Sequence, residues 1–215
     1  MTETGSRRRP LRGPVALFAA AILVIAACSG NVGAAPSSAG PAPRGHGCPT
    51  SEPAPLPAGQ TRTVVLQTAK GPITIRVDAN LAPIATGNFV ALASCGFYDA
   101  TVFHRVVPGF VIQGGDPTGT GAGGPGYTIT DEPVTTPYQR GTVAMARGSR
   151  AHSQGSQFFI VLDDSAAESL TQTNNYAILG TVTSGMDVAD AIAAAADREI
   201  PTNPIPINKV TVATP

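Results

Sequence analysis

From Thr61 onward the chain is written mostly in a hydrophobic period of two. In Ile73-Thr74-Ile75-Arg76-Val77-Asp78 the apolar side chains share one face, while Thr74, Arg76 and Asp78 take the other. That alternation predicts a half-buried strand. Val64-Val65-Leu66-Gln67 lies upstream across Ala69-Lys70-Gly71-Pro72, and the two runs are expected to pair as a hairpin. A second hairpin is predicted where Phe103-His104-Arg105-Val106-Val107 folds back at Pro108-Gly109 onto Phe110-Val111-Ile112-Gln113-Gly114. Further strands are expected over 141–147, 156–161, 176–182 and 209–212, with polar loops at 148–155 and 163–175. Two segments switch to helical spacing. Pro83 opens one, with Phe89, Leu92 and Ala93 as its stripe and Gly96 at its end. Met186 to Ala196 is the other, with Val188, Ala191, Ile192 and Ala195 on one side. The pattern predicts a mainly β domain, a barrel or sandwich of antiparallel strands whose ends two helices cover.

Upstream the periodicity stops. Arg7, Arg8, Arg9 and Arg12 form a positive region, followed by a thirteen-residue apolar stretch from Val15 to Ala27. That is too short to span a bilayer comfortably and suits a secretory signal. Residues 29–60 contain seven prolines between Pro36 and Pro57, mixed with Gly, Ala and Ser, and read as an extended spacer. The expected organisation is a signal over 1–27, a tether over 28–60 and a folded domain over 61–215.

Composition narrows the chemistry. The full chain is formally neutral, but the arginines of the leader leave ten basic and thirteen acidic groups after it, with no basic run. A nucleic-acid partner is not expected. The stretch from Gly114 to Gly126 holds seven glycines but neither a Walker spacing nor a GxGxxG opening a helix, so it reads as a surface loop. Ser156 lies outside any G-x-S-x-G context, and the histidines and cysteines match no zinc spacing. No metal and no cofactor is expected. In an exported protein Cys48 and Cys95 either pair, clipping the spacer to the domain, or remain separate thiols with Cys95 buried.

Arg105 is the oddity. A cation among Phe, Val and Ile is either the solvated face of a strand or a group with a task. Rotation about the bond before proline requires no nucleophile, metal or cofactor. Its barrier of roughly 18–20 kcal/mol comes from amide resonance. At the twisted transition state the prolyl nitrogen regains a lone pair, and a fixed donor aimed at it favours that state. Arginine stays charged and offers several donors.

From Thr63 to Val212 the sequence resembles the cyclophilins, a family of peptidyl-prolyl isomerases. The resemblance rests on Phe103-His104-Arg105-x-x-Pro108-Gly109-Phe110-x-x-Gln113-Gly114-Gly115-Asp116, on Gly155-Ser156-Gln157-Phe158-Phe159-Ile160 and on Val143-Ala144-Met145-Ala146. It implies a closed eight-stranded antiparallel β-barrel capped by two α-helices. It also implies Arg105 as the catalytic arginine, with Phe110, Val111 and Phe159 as the walls of the proline pocket. Gln113 would bond the substrate backbone, and Ala146 and Gln157 would line the adjoining surface. Arg147 stands where eukaryotic members carry asparagine, Tyr176 where many carry histidine, and Leu170 is the candidate for the 163–175 edge. The other reading is a cyclophilin-fold module that binds proline peptides without turnover, although Arg105 and the pocket aromatics are kept.

The end of the apolar leader, Leu23-Val24-Ile25-Ala26-Ala27-Cys28, resembles the lipobox of bacterial lipoproteins. It implies lipidation of Cys28 and anchoring to the outer face of a membrane. An ordinary signal peptide containing a cysteine is the alternative, and Ser6-Arg7-Arg8-Arg9 leaves the twin-arginine route open. The partners implied are proline-containing peptides and unfolded extracytoplasmic proteins, with monomer as the default state. The chain has no tryptophan, the residue with which the family's eukaryotic members engage cyclosporin. Inhibition by that drug is therefore expected to be weak, and nanomolar inhibition in a titration against activity would overturn this.

Overall fold

The computed structural model describes residues 47–173 and 175–213. The signal, Cys28 and most of the spacer lie outside the described residues. The opening hairpin joins β1 (Thr61–Thr68) to β2 (Gly71–Asp78), in register from Thr61 opposite Asp78 to Thr68 opposite Gly71. Helix α1 (Pro83–Ser94) follows, with Pro83 in its first turn. It has no side-chain cap of its own. Instead the Glu132 carboxylate accepts from Ile84 N and Ala85 N, both at 2.8 Å, meeting the unpaired donors and positive end of the helix. At its end Gly96 N donates to Ala93 O and Phe97 N to Leu92 O, a Schellman arrangement.

Three short strands come next, β3 (Thr101–Val102), β4 (Arg105–Val107) and β5 (Val111–Gly114). The β4–β5 turn is closed by Phe110 N on Val107 O at 2.9 Å, with Gly109 at φ +73°. A type II turn needs a positive φ at that position, which glycine adopts without strain. Strands β6 (Thr142–Met145) and β7 (Phe158–Val161) are followed by α2 (Ala166–Thr173), β8 (Ile178–Ser184), α3 (Met186–Ala195) and β9 (Pro206–Ala213).

The nine strands form one antiparallel sheet in the order β3-β9-β1-β2-β8-β6-β7-β5-β4. This corrects the closed eight-stranded barrel with two helices. The sheet is a curled half-barrel, and its edge strands β3 and β4 are neighbours in the chain, separated by Phe103 and His104. Their edges turn to the α3–β9 connection instead: Phe103 N donates to Ile205 O at 3.0 Å and Val106 N to Glu199 O at 2.8 Å. The ninth strand, β3, is two residues long and pairs Thr101 with Ile207 and Val102 with Pro206. The third helix, α2, occupies the segment expected to be a loop. Only Ala166 and Leu170 are buried in it, too few to mark a helix in sequence. In α3 the buried residues are Ala189, Ile192 and Ala193, so its inner face is rotated from the expected one.

Alternation along the strands divides the apolar residues into two clusters. Phe158 and Ile160 of β7 point into the curl, with Ile75, Leu66, Ile112 and Met145. Phe89 and Tyr98 pack around Phe158, their ring centroids 5.3 and 5.6 Å away. Phe159 and Val161 point the other way, into a second cluster with Val111, Ala144, Tyr138 and Ile178. Each large side chain so buried stabilises the fold by about 1.5–3 kcal/mol.

Residues 48–60, grouped above with the spacer, pack on the domain. Leu56 is buried and its N–H donates to Pro83 O at 2.9 Å. Gly87 of α1 permits this approach, because a Cβ there would stand 2.5 Å from Ala54 O and 2.7 Å from Leu56 N. Cys48 is disulfide-bonded to Cys95, with Cα atoms 5.2 Å apart. The loop spans 47 residues of sequence separation. Replacing both cysteines by serine is expected to cost roughly 2–4 kcal/mol. Equilibrium denaturation of the double variant reads this, and an unchanged midpoint would count against a stabilising clip.

Candidate active site

Strand register builds the site. Across β4, β5, β7 and β6 the paired residues run Arg105–Gln113, Gln113–Phe159 and Phe159–Ala144. A cation, an amide, an aromatic ring and a small residue thus stand in one row on the face opposite the main core. Arg105 and Phe159 are two strands apart, about 10 Å at the usual strand spacing. The Arg105 side chain is one-third exposed and its Nε donates to Glu199 Oε1 at 2.7 Å.

The orientation of the amide is set from behind. Gln157 Nε2 donates to Gly121 O and Gly123 O, each at 2.9 Å, which uses both of its hydrogens. Gln157 Oε1 therefore faces Gln113 and accepts from its Nε2 at 2.9 Å. Gln113 keeps one N–H and its carbonyl oxygen for another partner. The glycine-rich loop that supplies the two carbonyls is wound around Asp116. That buried carboxylate accepts from Thr118 N, Thr120 N, Gly121 N and Gly123 N and from the Thr118 hydroxyl. Burial alone would raise the Asp116 carboxyl, but these donors hold it below its ordinary value. A depressed carboxylate stabilises the fold above its unfolded value, and the loop loses that contribution as pH falls through the folded one.

Beside the row lies an apolar wall. Val111, Phe159 and Leu170 are buried in one cluster, against which Phe110, Ala146 and Tyr176 pack. Phe159 and Tyr176 meet edge to face at 5.4 Å. Helix α2 thus carries Leu170 to the pocket edge. Tyr138, which sequence reasoning missed, anchors Tyr176: its hydroxyl donates to Tyr176 O at 3.1 Å and accepts from Tyr176 N at 3.2 Å. Burial pushes its phenol up to about 12. Its only sequence signal is a lone aromatic residue in a polar loop.

Arg147 is placed differently from its neighbour Ala146. Its side chain is only 7 % exposed, with Nη1 3.2 Å from Asp131 Oδ2. Asp131 also accepts from His152 N and Gln154 Nε2. The Arg147 guanidinium therefore holds the 148–154 loop, leaving its backbone for any contact with substrate. That loop and the 121–128 segment flank an open cleft of 780 Å³, bordered also by Gln113, Ala146, Arg147 and Gln157. His104 is buried, and burial lowers its pKa, so it stays neutral beside Arg105. Among the described residues no three His, Cys, Asp or Glu side chains group as a metal site would require. The arrangement offers fixed donors over an apolar pocket, which suits a reaction that redistributes charge without breaking a bond.

Comparison with known proteins gives the same reading. Residues 63–212 match the family model for the cyclophilin type peptidyl-prolyl cis-trans isomerase. A peptidyl-prolyl cis-trans isomerase of Synechococcus elongatus is 51% identical over 96 residues, covering 45% of this chain and 66% of that protein. The probable peptidyl-prolyl cis-trans isomerase A of Mycobacterium leprae is 38% identical over 177 residues, covering 71% of this chain and 93% of the relative. A crystal structure of a cyclophilin type isomerase from Cryptosporidium parvum superposes with a TM-score of 0.63 at 31% identity, covering 72% of this chain and 99% of the other. A second structure of that protein, obtained in the presence of the dipeptide Ala-Pro, superposes equally well at 32% identity, covering 71% and 99%. By family model, relatives and fold, the chain belongs to the cyclophilin-type peptidyl-prolyl cis-trans isomerases.

Proposed function

We propose that Arg105 is the catalytic residue of this isomerase and that the row Arg105–Gln113–Phe159 is its substrate track. The observation that carries the reading is the register, which stands the cation, the oriented amide and the buried ring on one face. Phe110, Val111, Phe159, Leu170 and Tyr176 hold the proline ring. Gln113, oriented through Gln157, holds the peptide beside it, so one side of the X-Pro bond is fixed while the other rotates. As the amide twists, the prolyl nitrogen regains its lone pair and accepts from Arg105. That hydrogen bond exists in neither planar state, so it lowers the barrier and not merely the energy of the bound peptide. Ala146, Gln157 and the backbone at Arg147 meet the residues on the other side of the proline.

We also propose that the protein is exported, lipidated at Cys28 and held at the outer face of the cell membrane, where it acts as a monomer on X-Pro bonds of unfolded extracytoplasmic proteins. The arginine-rich leader and its apolar stretch ending at Cys28 support this. The Cys48–Cys95 pairing supports an oxidising compartment.

Two measurements test these readings. In an NMR exchange assay on a proline peptide, Arg105→Ala is expected to lose about 100-fold or more in catalysis, the scale of removing a transition-state donor. Turnover at the unaltered rate would remove Arg105 from the mechanism. Mass spectrometry of the mature N-terminus is expected to find a diacylglyceryl-modified Cys28, and an unmodified Cys28 or cleavage elsewhere would overturn the anchor.

A further inference from the structure

The seam of the half-barrel places an acidic residue directly on Arg105. Glu199 is held at two points: its carbonyl accepts from Val106 N at 2.8 Å, and its Oε1 accepts from Arg105 Nε at 2.7 Å. The two donors belong to consecutive residues of β4, so backbone and side chain of Glu199 grip the same short strand. The connection that carries it is braced. Thr202 donates through its N–H and its hydroxyl to the two oxygens of Asp197, at 2.9 and 2.6 Å, and Phe103 N reaches Ile205 O at 3.0 Å. Glu199 is thus a fixed point, although its side chain is largely exposed.

An arginine side chain has several rotatable bonds, and when unheld and one-third open to solvent it samples many orientations. A carboxylate on Nε fixes the plane of the fork and leaves the Nη hydrogens to act. Among the described residues the hydrogen bonds of the Arg105 head are confined to this one through Nε. From this geometry we infer that Glu199 is a positioning residue for prolyl isomerisation, setting the orientation in which the Arg105 guanidinium meets the prolyl nitrogen. The inference rests on the role given to Arg105 above. Glu199 touches no substrate and acts through Arg105 alone. Its effect falls on the rotating state, where the arginine bond forms, and not on the docking of the ring, which Phe110, Phe159 and Leu170 perform.

The test compares Glu199→Ala, Glu199→Gln and Arg105→Ala in the full mature chain, using NMR titration and exchange on one proline peptide. Glu199→Ala is expected to slow exchange at saturation about fivefold, the upper range for a partly exposed ion pair, with the peptide dissociation constant changed by less than about twofold. The Arg105 Nε–Hε resonance should move in the same variant. Glu199→Gln, which keeps an acceptor oxygen at the same reach, should retain at least half of the unaltered rate and resonance position. Unaltered exchange in Glu199→Ala overturns the inference, as does a Glu199→Gln variant no better than alanine. If Arg105→Ala is inactive in the same series, such a result removes Glu199 alone. If Arg105→Ala turns over like the unaltered protein, both assignments fall.

Discussion

Strand β7 is buried on both of its faces, and the two faces do different work. Phe158 and Ile160 lock it into the curl of the sheet, while Phe159 and Val161 belong to the second cluster, whose Phe159 stands beside the row. Because side chains alternate with a period of two, neither set can shift without the other. A slip of one residue would exchange them, moving each side chain to the opposite cluster. The apolar packing of the core thus fixes where the pocket ring stands against Gln113 on β5 and Ala144 on β6. The precision of the site is inherited from the core.

The polar half of the site is built by a different means. Asp116 winds a glycine-rich loop around its carboxylate, the loop presents two carbonyls to Gln157, and Gln157 turns Gln113. Each amide has its direction fixed by the partner behind it, so the chain of bonds ends in a donor and an acceptor whose placement costs little reorganisation when substrate arrives. Such preorganisation is itself a source of rate.

Much of this was legible in sequence because it is local. The β4–β5 hairpin announces itself through Pro108-Gly109 and its alternation, and Arg105, Phe110 and Gln113 all lie within it. Phe159 stands opposite Gln113 in the sheet, and Leu170 shares one cluster with Phe159 and Phe110. What escaped was set by distant partners. Arg147 takes its place through Asp131, sixteen residues away in sequence. Tyr138 takes its place through the Tyr176 backbone, and Glu199 meets Arg105 across 94 residues of sequence. Helix α2 has only two inward residues, too faint a stripe to read. The proline-rich run at 48–60 gave no hint that Gly87 leaves room for its backbone, because composition does not report the surface on which a segment lies.

The outer edge of β4 has a consequence for what can pair with it. An edge strand bearing free N–H and C=O groups is a template for another chain, and an unfolded polypeptide is well suited to pair with it. Here the Val106 N–H is already taken by the Glu199 carbonyl. Continuous pairing of another chain along β4, behind Arg105, is thereby closed. The residue that closes the seam is therefore also the one that keeps the sheet from being extended past β4.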